Sequence, residues 1–205
     1  MEAILLDIDG TLWDSTGVVA LAWNEVLIER DDVNVEVTPD KLKGLFGRPI
    51  DEIASILFHH IPKDEQLKLI HKCCEKEQEF LQQRPGMIFE GVVETIKELS
   101  KKYKICIISN CGSGYIELVM NALGIKDYIT DFTCPAYTNL PKGPNCKLIM
   151  ERNNFKDVVY VGDTQGDYEA CQFAGIPFVF CEYGFGQSNS YDYSIKKFSE
   201  LLNLF

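Results

Sequence analysis

Ile4-Leu5-Leu6-Asp7-Ile8-Asp9-Gly10-Thr11 is the stretch whose reading decides the fold. Ala3 to Leu6 make an apolar run of strand length, and the run ends abruptly in two carboxylates. Residues two apart in a strand point to the same side, so a strand that continued to Asp9 would aim both acids at one spot. Like charges held together repel and are costly to desolvate, which makes a bound cation their natural partner, and Mg²⁺ suits such an oxygen-lined site. Gly10 lets the chain turn and brings backbone N–H groups close to an anion. A phosphate held there, with Thr11 beside it, lies within reach of an aspartate that can act as nucleophile. The alternative is a short edge strand entering an acidic turn, where Asp-Gly is common.

Working outward, the texture changes twice. Leu12 to Ser15 reads as a turn, and residues 15–84 read as wholly helical. Apolar residues recur at helical spacing from Val18 to Ile28, and Thr38-Pro39 supplies an N-cap and a first-turn proline for a helix reaching about Phe46. A further helix is expected from Asp51 to about His60. Lys63 to Gln83 reads as a long amphipathic helix with Leu67, Ile70, Cys74, Phe80 and Leu81 inward. From Arg84-Pro85-Gly86 onward, apolar strands and helices alternate. Strands are expected at Lys104–Ile108, around Thr130–Cys134, at Val158–Val161 and at Pro177–Phe180, with helices between them and a last helix over about Ser194–Leu202. That alternation predicts an α/β fold, a Rossmann-like parallel sheet with helices on both faces. Residues 1–14 and 85–205 would form it, and residues 15–84 would be an inserted helical unit.

Ligands bind at the carboxyl ends of the strands in such sheets. Three strands here end in polar residues: the first in Asp7 and Asp9, the next in Ser109 and Asn110, a later one in Gly162-Asp163-Thr-Gln-Gly-Asp167. Lys142, in the stiff loop Pro141-Lys-Gly-Pro144, would aim one ammonium at a phosphoryl group. Asp163 is placed to ligate Mg²⁺, and Asp167 to support it. Taken singly, each has a plainer reading: a polar turn, a solvated lysine, an acidic helix start. Their order along the chain favours one shared pocket.

Composition narrows the partners. With 205 residues the chain suits one α/β domain with an insert, and a net charge of −11 disfavours nucleic acid and anionic membranes. A metal can reverse the local field, so a phosphorylated substrate is not excluded. No basic start with an apolar stretch behind it and no membrane-length apolar run is present, which predicts a cytoplasmic protein. The eight cysteines contain no C-x-x-C pair and are expected to be reduced packing residues. His59, His60 and His71 lie far in sequence from the acids, so zinc is not expected. The sequence does not fix an oligomeric state and is compatible with a monomer.

D-x-D-G-T at Asp7 to Thr11, the hydroxyl at Ser109, Lys142 and G-D-x-x-x-D at Gly162 to Asp167 together resemble the haloacid dehalogenase superfamily of hydrolases, in family order and over nearly the whole chain. The helical stretch is similar in position and length to that family's C1 cap. The resemblance implies that Asp7 is the nucleophile of an aspartyl-phosphate mechanism and that Asp9 is the general acid and base. It implies Mg²⁺ bound through Asp7, the Asp9 carbonyl and Asp163, with Asp167 in support. Ser109, Asn110, Lys142 and the groups at Gly10 and Thr11 would hold a small phosphorylated metabolite. Asp9 is the acid that phosphatases and phosphomutases of the family carry and its dehalogenases lack. Gly47-Arg48 resembles the cap loop over the substrate, so Arg48 could read an anion there. Tyr183-Gly-Phe-Gly186 resembles phosphoglycolate phosphatase-like members. Val19 replaces a histidine usual in the β-phosphoglucomutase-like branch, which argues against a mutase.

Three rivals remain to be weighed. Gly112-Ser-Gly114 after a strand suggests a dinucleotide site, but Glu117 replaces the third glycine. A phospho-receiver module would use similar residue types without the helical insert, and without turning over a phosphate ester. A catalytically inactive member of the same fold would be expected to lack a motif residue, and none is lacking.

Overall fold

In the computed structural model, which describes residues 1–205, the run Ala3–Leu6 becomes strand β1, and all four side chains are buried. A two-residue strand, β2 (Trp13–Asp14), leads into four helices: α1 (Thr16–Leu27), α2 (Pro39–Lys43), α3 (Ile50–Leu57) and α4 (Lys63–Gln83). The chain returns through β3 (Met87–Ile88). There follow α5 (Val92–Leu99), β4 (Lys104–Ile108), α6 (Tyr115–Leu123), β5 (Ile129–Thr133), α7 (Pro135–Thr138), α8 (Lys142–Asn153), β6 (Val158–Gly162), α9 (Gln165–Ala174), β7 (Phe178–Cys181), β8 (Tyr193–Ile195) and α10 (Leu201–Leu204).

Six strands form one sheet in the order β5-β4-β1-β6-β7-β8, every pair parallel. The chain winds outward from β1 through β4 to β5, then crosses back to β6 on the other side, so β1 is the switch point where such sheets bind ligands. Leu6 pairs with Ile107 on one side and Val161 on the other, which sets the ends of β4, β1 and β6 side by side. Alternation along the strands fills two cores. Ile4, Leu6, Ile105, Ile107, Val159 and Val161 join the larger one, whereas Ala3, Leu5, Cys106, Ile108, Val158 and Tyr160 meet Cys146 and Ile149 of α8 and Cys171 of α9.

The helical insert of α1 to α4 begins and ends at an antiparallel pair, in which Trp13 faces Ile88 and Asp14 faces Met87. Trp23, Ile53 and Ile70 of the insert belong to the same apolar cluster as Ile4 and Leu6, which also includes Trp13 and Tyr115, whose rings meet edge to face at 6.1 Å. The expected α/β architecture with a helical insert is therefore observed.

Four local expectations change. Leu12 to Ser15 is not simply a turn, because Trp13 finds a strand partner 75 positions away in sequence that local reading cannot supply. The face of α4 is rotated: its buried residues are Gln66, Leu69, Ile70, Cys73, Glu77 and Leu81, because Gln66 and Glu77 find partners in the Ile61 carbonyl and the Trp23 indole. The C-terminal segment is not a single helix; Tyr193–Ile195 adds a sixth strand against β7, and only a short helix follows. Lys142 is not in a loop but is the first residue of α8, with the extended Pro141 at the N-cap. All eight cysteines are free thiols, and no helix is long and apolar enough to cross a membrane.

Candidate active site

The Asp7 N–H donates to the Val161 carbonyl at 2.9 Å, so the β1 ladder continues one residue past the strand and delivers Asp7 to the rim on the α8 side. There Lys142 Nζ donates to Asp7 Oδ1 at 2.9 Å and to Asp167 Oδ1 at 2.6 Å, and all three side chains are buried. Asp167 closes a capping box at the start of α9: Thr164 Oγ1 accepts from the Asp167 N–H, and Asp167 Oδ2 accepts from the Thr164 N–H at 3.0 Å and its hydroxyl at 2.7 Å. Asp163, directly after β6, accepts from the Phe185 N–H at 2.7 Å through Oδ2. The motif Tyr183-Gly-Phe-Gly186 thus forms the back of the site, and Tyr183 also donates its hydroxyl to the Thr11 carbonyl.

Asp7, Asp163 and Asp167 each offer an oxygen, all within 4.8 Å of one another. Three buried carboxylates against one ammonium leave a formal excess of two negative charges. Burial pushes Asp7 up to about 7, with Lys142 opposing the rise and Asp167 adding to it. Asp163 is driven well above the usual carboxylate range by burial and then by Asp167 and Asp7. Burial works against the charge on Lys142, but Asp167 and Asp7 more than offset it and hold its pKa up. Asp163 Oδ1 is buried without a hydrogen-bond partner, and glycine backbone walls the spot. A Cβ at Gly10, whose φ is 84°, or at Gly184 would collide with the Asp163 side chain, and one at Gly162 would lie 2.6 Å from Asp167 Cγ. An excess of two negative charges, oxygen donors and an unpartnered oxygen fit a divalent cation.

Asp9 goes elsewhere. The chain turns directly after Ile8, whose carbonyl accepts from the N–H groups of Thr11 and Leu12, so the alternation that would have placed both carboxylates together is lost. The Asp9 side chain lies outside the three-acid cluster, which corrects the expectation that both side chains would flank one cation, although Asp7 and Asp9 still line one cavity. Its Oδ1 accepts from Ser15 Oγ at 2.7 Å, Tyr115 OH at 2.8 Å and Trp13 Nε1 at 3.1 Å. Burial raises Asp9 to about 6, and the hydrogen bonds from Ser15, Tyr115 and Trp13 oppose the rise.

Ser109 and Asn110 follow β4 and line one cavity with Asp7, Asp9 and Arg48. Asn110 Nδ2 donates to the Gly47 carbonyl at 2.8 Å, joining the sheet rim to the insert, while Asn110 Oδ1 and Thr11 Oγ1 are buried without partners. Arg48 is half exposed and paired with Glu52. Trp13, Ser15, Trp23, Glu77 and Tyr115 also shape the site, and the sequence reading did not single them out. They carry no motif, and only an acid such as Glu77 on the inward face of an amphipathic helix would have been a signal.

The sequence profile of the haloacid dehalogenase-like hydrolases matches residues 4–181. The chain belongs to that family. This hydrolase is 25% identical over 211 residues to a phosphoglycolate phosphatase of Aquifex aeolicus, covering all of the chain and 96% of the relative. It is 23% identical to the phosphoglycolate phosphatase of Escherichia coli K12, covering 95% and 86%. Among solved structures, a haloacid dehalogenase-like hydrolase from Streptococcus pneumoniae superposes with a TM-score of 0.86 at 19% identity, covering 100% and 98%. CbbY from Rhodobacter sphaeroides, solved with xylulose 1,5-bisphosphate, superposes with a TM-score of 0.81 at 16% identity, covering 98% and 96%. These likenesses in structure concern the fold.

Proposed function

We propose that this hydrolase is a Mg²⁺-dependent phosphatase acting on a small phosphorylated metabolite through an aspartyl-phosphate. The observation that carries the reading is the pair of aspartates two residues apart with divided tasks: Asp7 sits in the lysine-bearing acid cluster, and Asp9 is held apart beside the same cavity. Asp7 supplies the attacking oxygen. Asp9 spends Oδ1 on three donors, which leaves Oδ2 to protonate the leaving oxygen and then to take a proton from the hydrolytic water. A pKa near 6 suits a group that must both give and accept. Lys142, Ser109 and Asn110, with the groups at Gly10 and Thr11, bind phosphoryl oxygens, and Arg48 faces the substrate from the insert.

Asp7, Asp163 and the Asp9 carbonyl would hold Mg²⁺, with Asp167 orienting Lys142 and bracing the Asp163 N–H. When bound, the ion neutralises the acid cluster and the charge on the phosphoryl group. Residues 1–14 and 85–205 act as the catalytic core, and residues 15–84 as a cap that excludes water. Val19, buried in α1, offers no proton-transfer group where the mutase branch carries histidine.

The test is hydrolysis of p-nitrophenyl phosphate. Asp7→Asn is expected to lower kcat by at least about a thousandfold with an unchanged circular dichroism spectrum, and chelation to abolish activity that Mg²⁺, but not specifically Zn²⁺, restores. Full activity in Asp7→Asn would overturn the mechanism.

A further inference from the structure

Between the catalytic aspartates and the insert lies a partly enclosed cavity with about 40 Å³ of room, space for a few waters, which opens toward Arg48. Asp7, Asp9 and Ser109 form its floor, and Trp23, Ile53 and Glu77 are part of its roof. The leaving group of a phosphate ester attacked by Asp7 and protonated by Asp9 must lie here. The open groove next to it, lined by Lys43, Lys142 and Thr164, contains neither aspartate.

The polarity of the roof is one-sided. Glu77 is buried, and its Oε2 accepts from Trp23 Nε1 at 2.9 Å, an indole that is itself buried, so the carboxyl group is fixed in place. Oε1 accepts no hydrogen bond from the protein. The one basic side chain on the cavity is Arg48, which stands half exposed at the edge and is already paired with Glu52. A carboxylate in the leaving group would therefore shed its water and meet a cation only by drawing Arg48 away from Glu52. Ionised, Glu77 repels it; protonated, Glu77 offers one neutral hydrogen bond, which does not replace lost hydration. A hydroxyl or ammonium group would instead find an acceptor already in position.

Resting on the phosphatase reading, we propose that Glu77 selects the substrate: the preferred phosphate monoester has a small leaving group that carries a hydrogen-bond donor and no carboxylate. The chain would thus differ in specificity from the relatives named for phosphoglycolate.

The test uses the full-length protein with Mg²⁺ and three esters of nearly equal size: 2-hydroxyethyl phosphate, O-phosphoethanolamine and 2-phosphoglycolate, with released phosphate as readout. The first two are expected to exceed 2-phosphoglycolate in kcat/KM by at least about tenfold, the scale set by desolvating one carboxylate without a matching partner. Glu77→Gln should shrink that ratio, and Glu77→Lys should reverse it. The three-ester comparison on the unsubstituted protein stands even if neither variant folds. A preference for 2-phosphoglycolate, or a ratio unchanged in a folded Glu77→Lys, would overturn the assignment of Glu77 while leaving the phosphatase reading intact. No turnover on any of the three or on p-nitrophenyl phosphate would overturn both. A preference for hydroxyethyl phosphate over phosphoethanolamine would mark a polyol substrate, and the reverse an amine; either supports the proposal.

Discussion

Asp9 and Glu77 are both buried carboxyl groups beside one cavity, and their neighbours separate them. Three donors stabilise charge on Asp9, whereas Glu77 has one indole N–H, and burial followed by the nearby Asp9 raises it to about 8 from an ordinary 4.5. A carboxyl group whose pKa is higher folded than unfolded favours the native state while it is protonated. That contribution is complete below about pH 4.5, and it drains away as pH rises toward 8. The wild-type melting temperature is therefore expected to fall between pH 5 and pH 8 more steeply than that of Glu77→Gln, as read by calorimetry in the two proteins; parallel curves would contradict the assignment. Asp7, Ser109 and Asp163 were legible in the sequence because strand ends announce themselves by an apolar run stopping at a polar residue; Asp167 follows Asp163 in the same motif, and Lys142 stood out between Pro141 and Pro144. Glu77 and Tyr115 were not, because their meaning comes from partners 54 and 106 positions away in sequence, Trp23 and Asp9.

At the scale of elements, the turn after β1 carries the most constraint. Gly10 combines a positive φ with a Cα packed against the Asp163 carboxylate. Gly10→Ala is expected to cost about 2 kcal/mol or more in urea unfolding, from backbone strain plus the displacement of Asp163. A loss below about 0.5 kcal/mol would show that the turn can relax. The long helices and the apolar strands Lys104–Ile108 and Val158–Val161 were readable from period and punctuation. The pairs β2–β3 and β7–β8 were not, since two or three residues carry no period and the pairing is set by tertiary contact. The same limit explains the turn of Asp9: where a strand ends is decided by hydrogen-bond partners, and two residues of error redirect a side chain.

For the molecule as a whole, the parallel sheet concentrates negative charge at the ends of β1 and β6, and the fold holds that charge ready for a cation. A ligand that binds only the native state stabilises it by mass action. Mg²⁺ at about a hundredfold above its Kd is expected to raise the melting temperature by about 5–10 °C, and Asp163→Asn should abolish the rise. An equal rise in Asp163→Asn would place the ion elsewhere. The central claim, that Asp7 becomes phosphorylated during turnover, is tested most directly by mass spectrometry of protein quenched in acid during steady-state hydrolysis. The expected result is one phosphoryl group on the peptide containing Asp7, absent in Asp7→Asn. Turnover with no phosphorylated peptide, or with the group on Ser109, would contradict it.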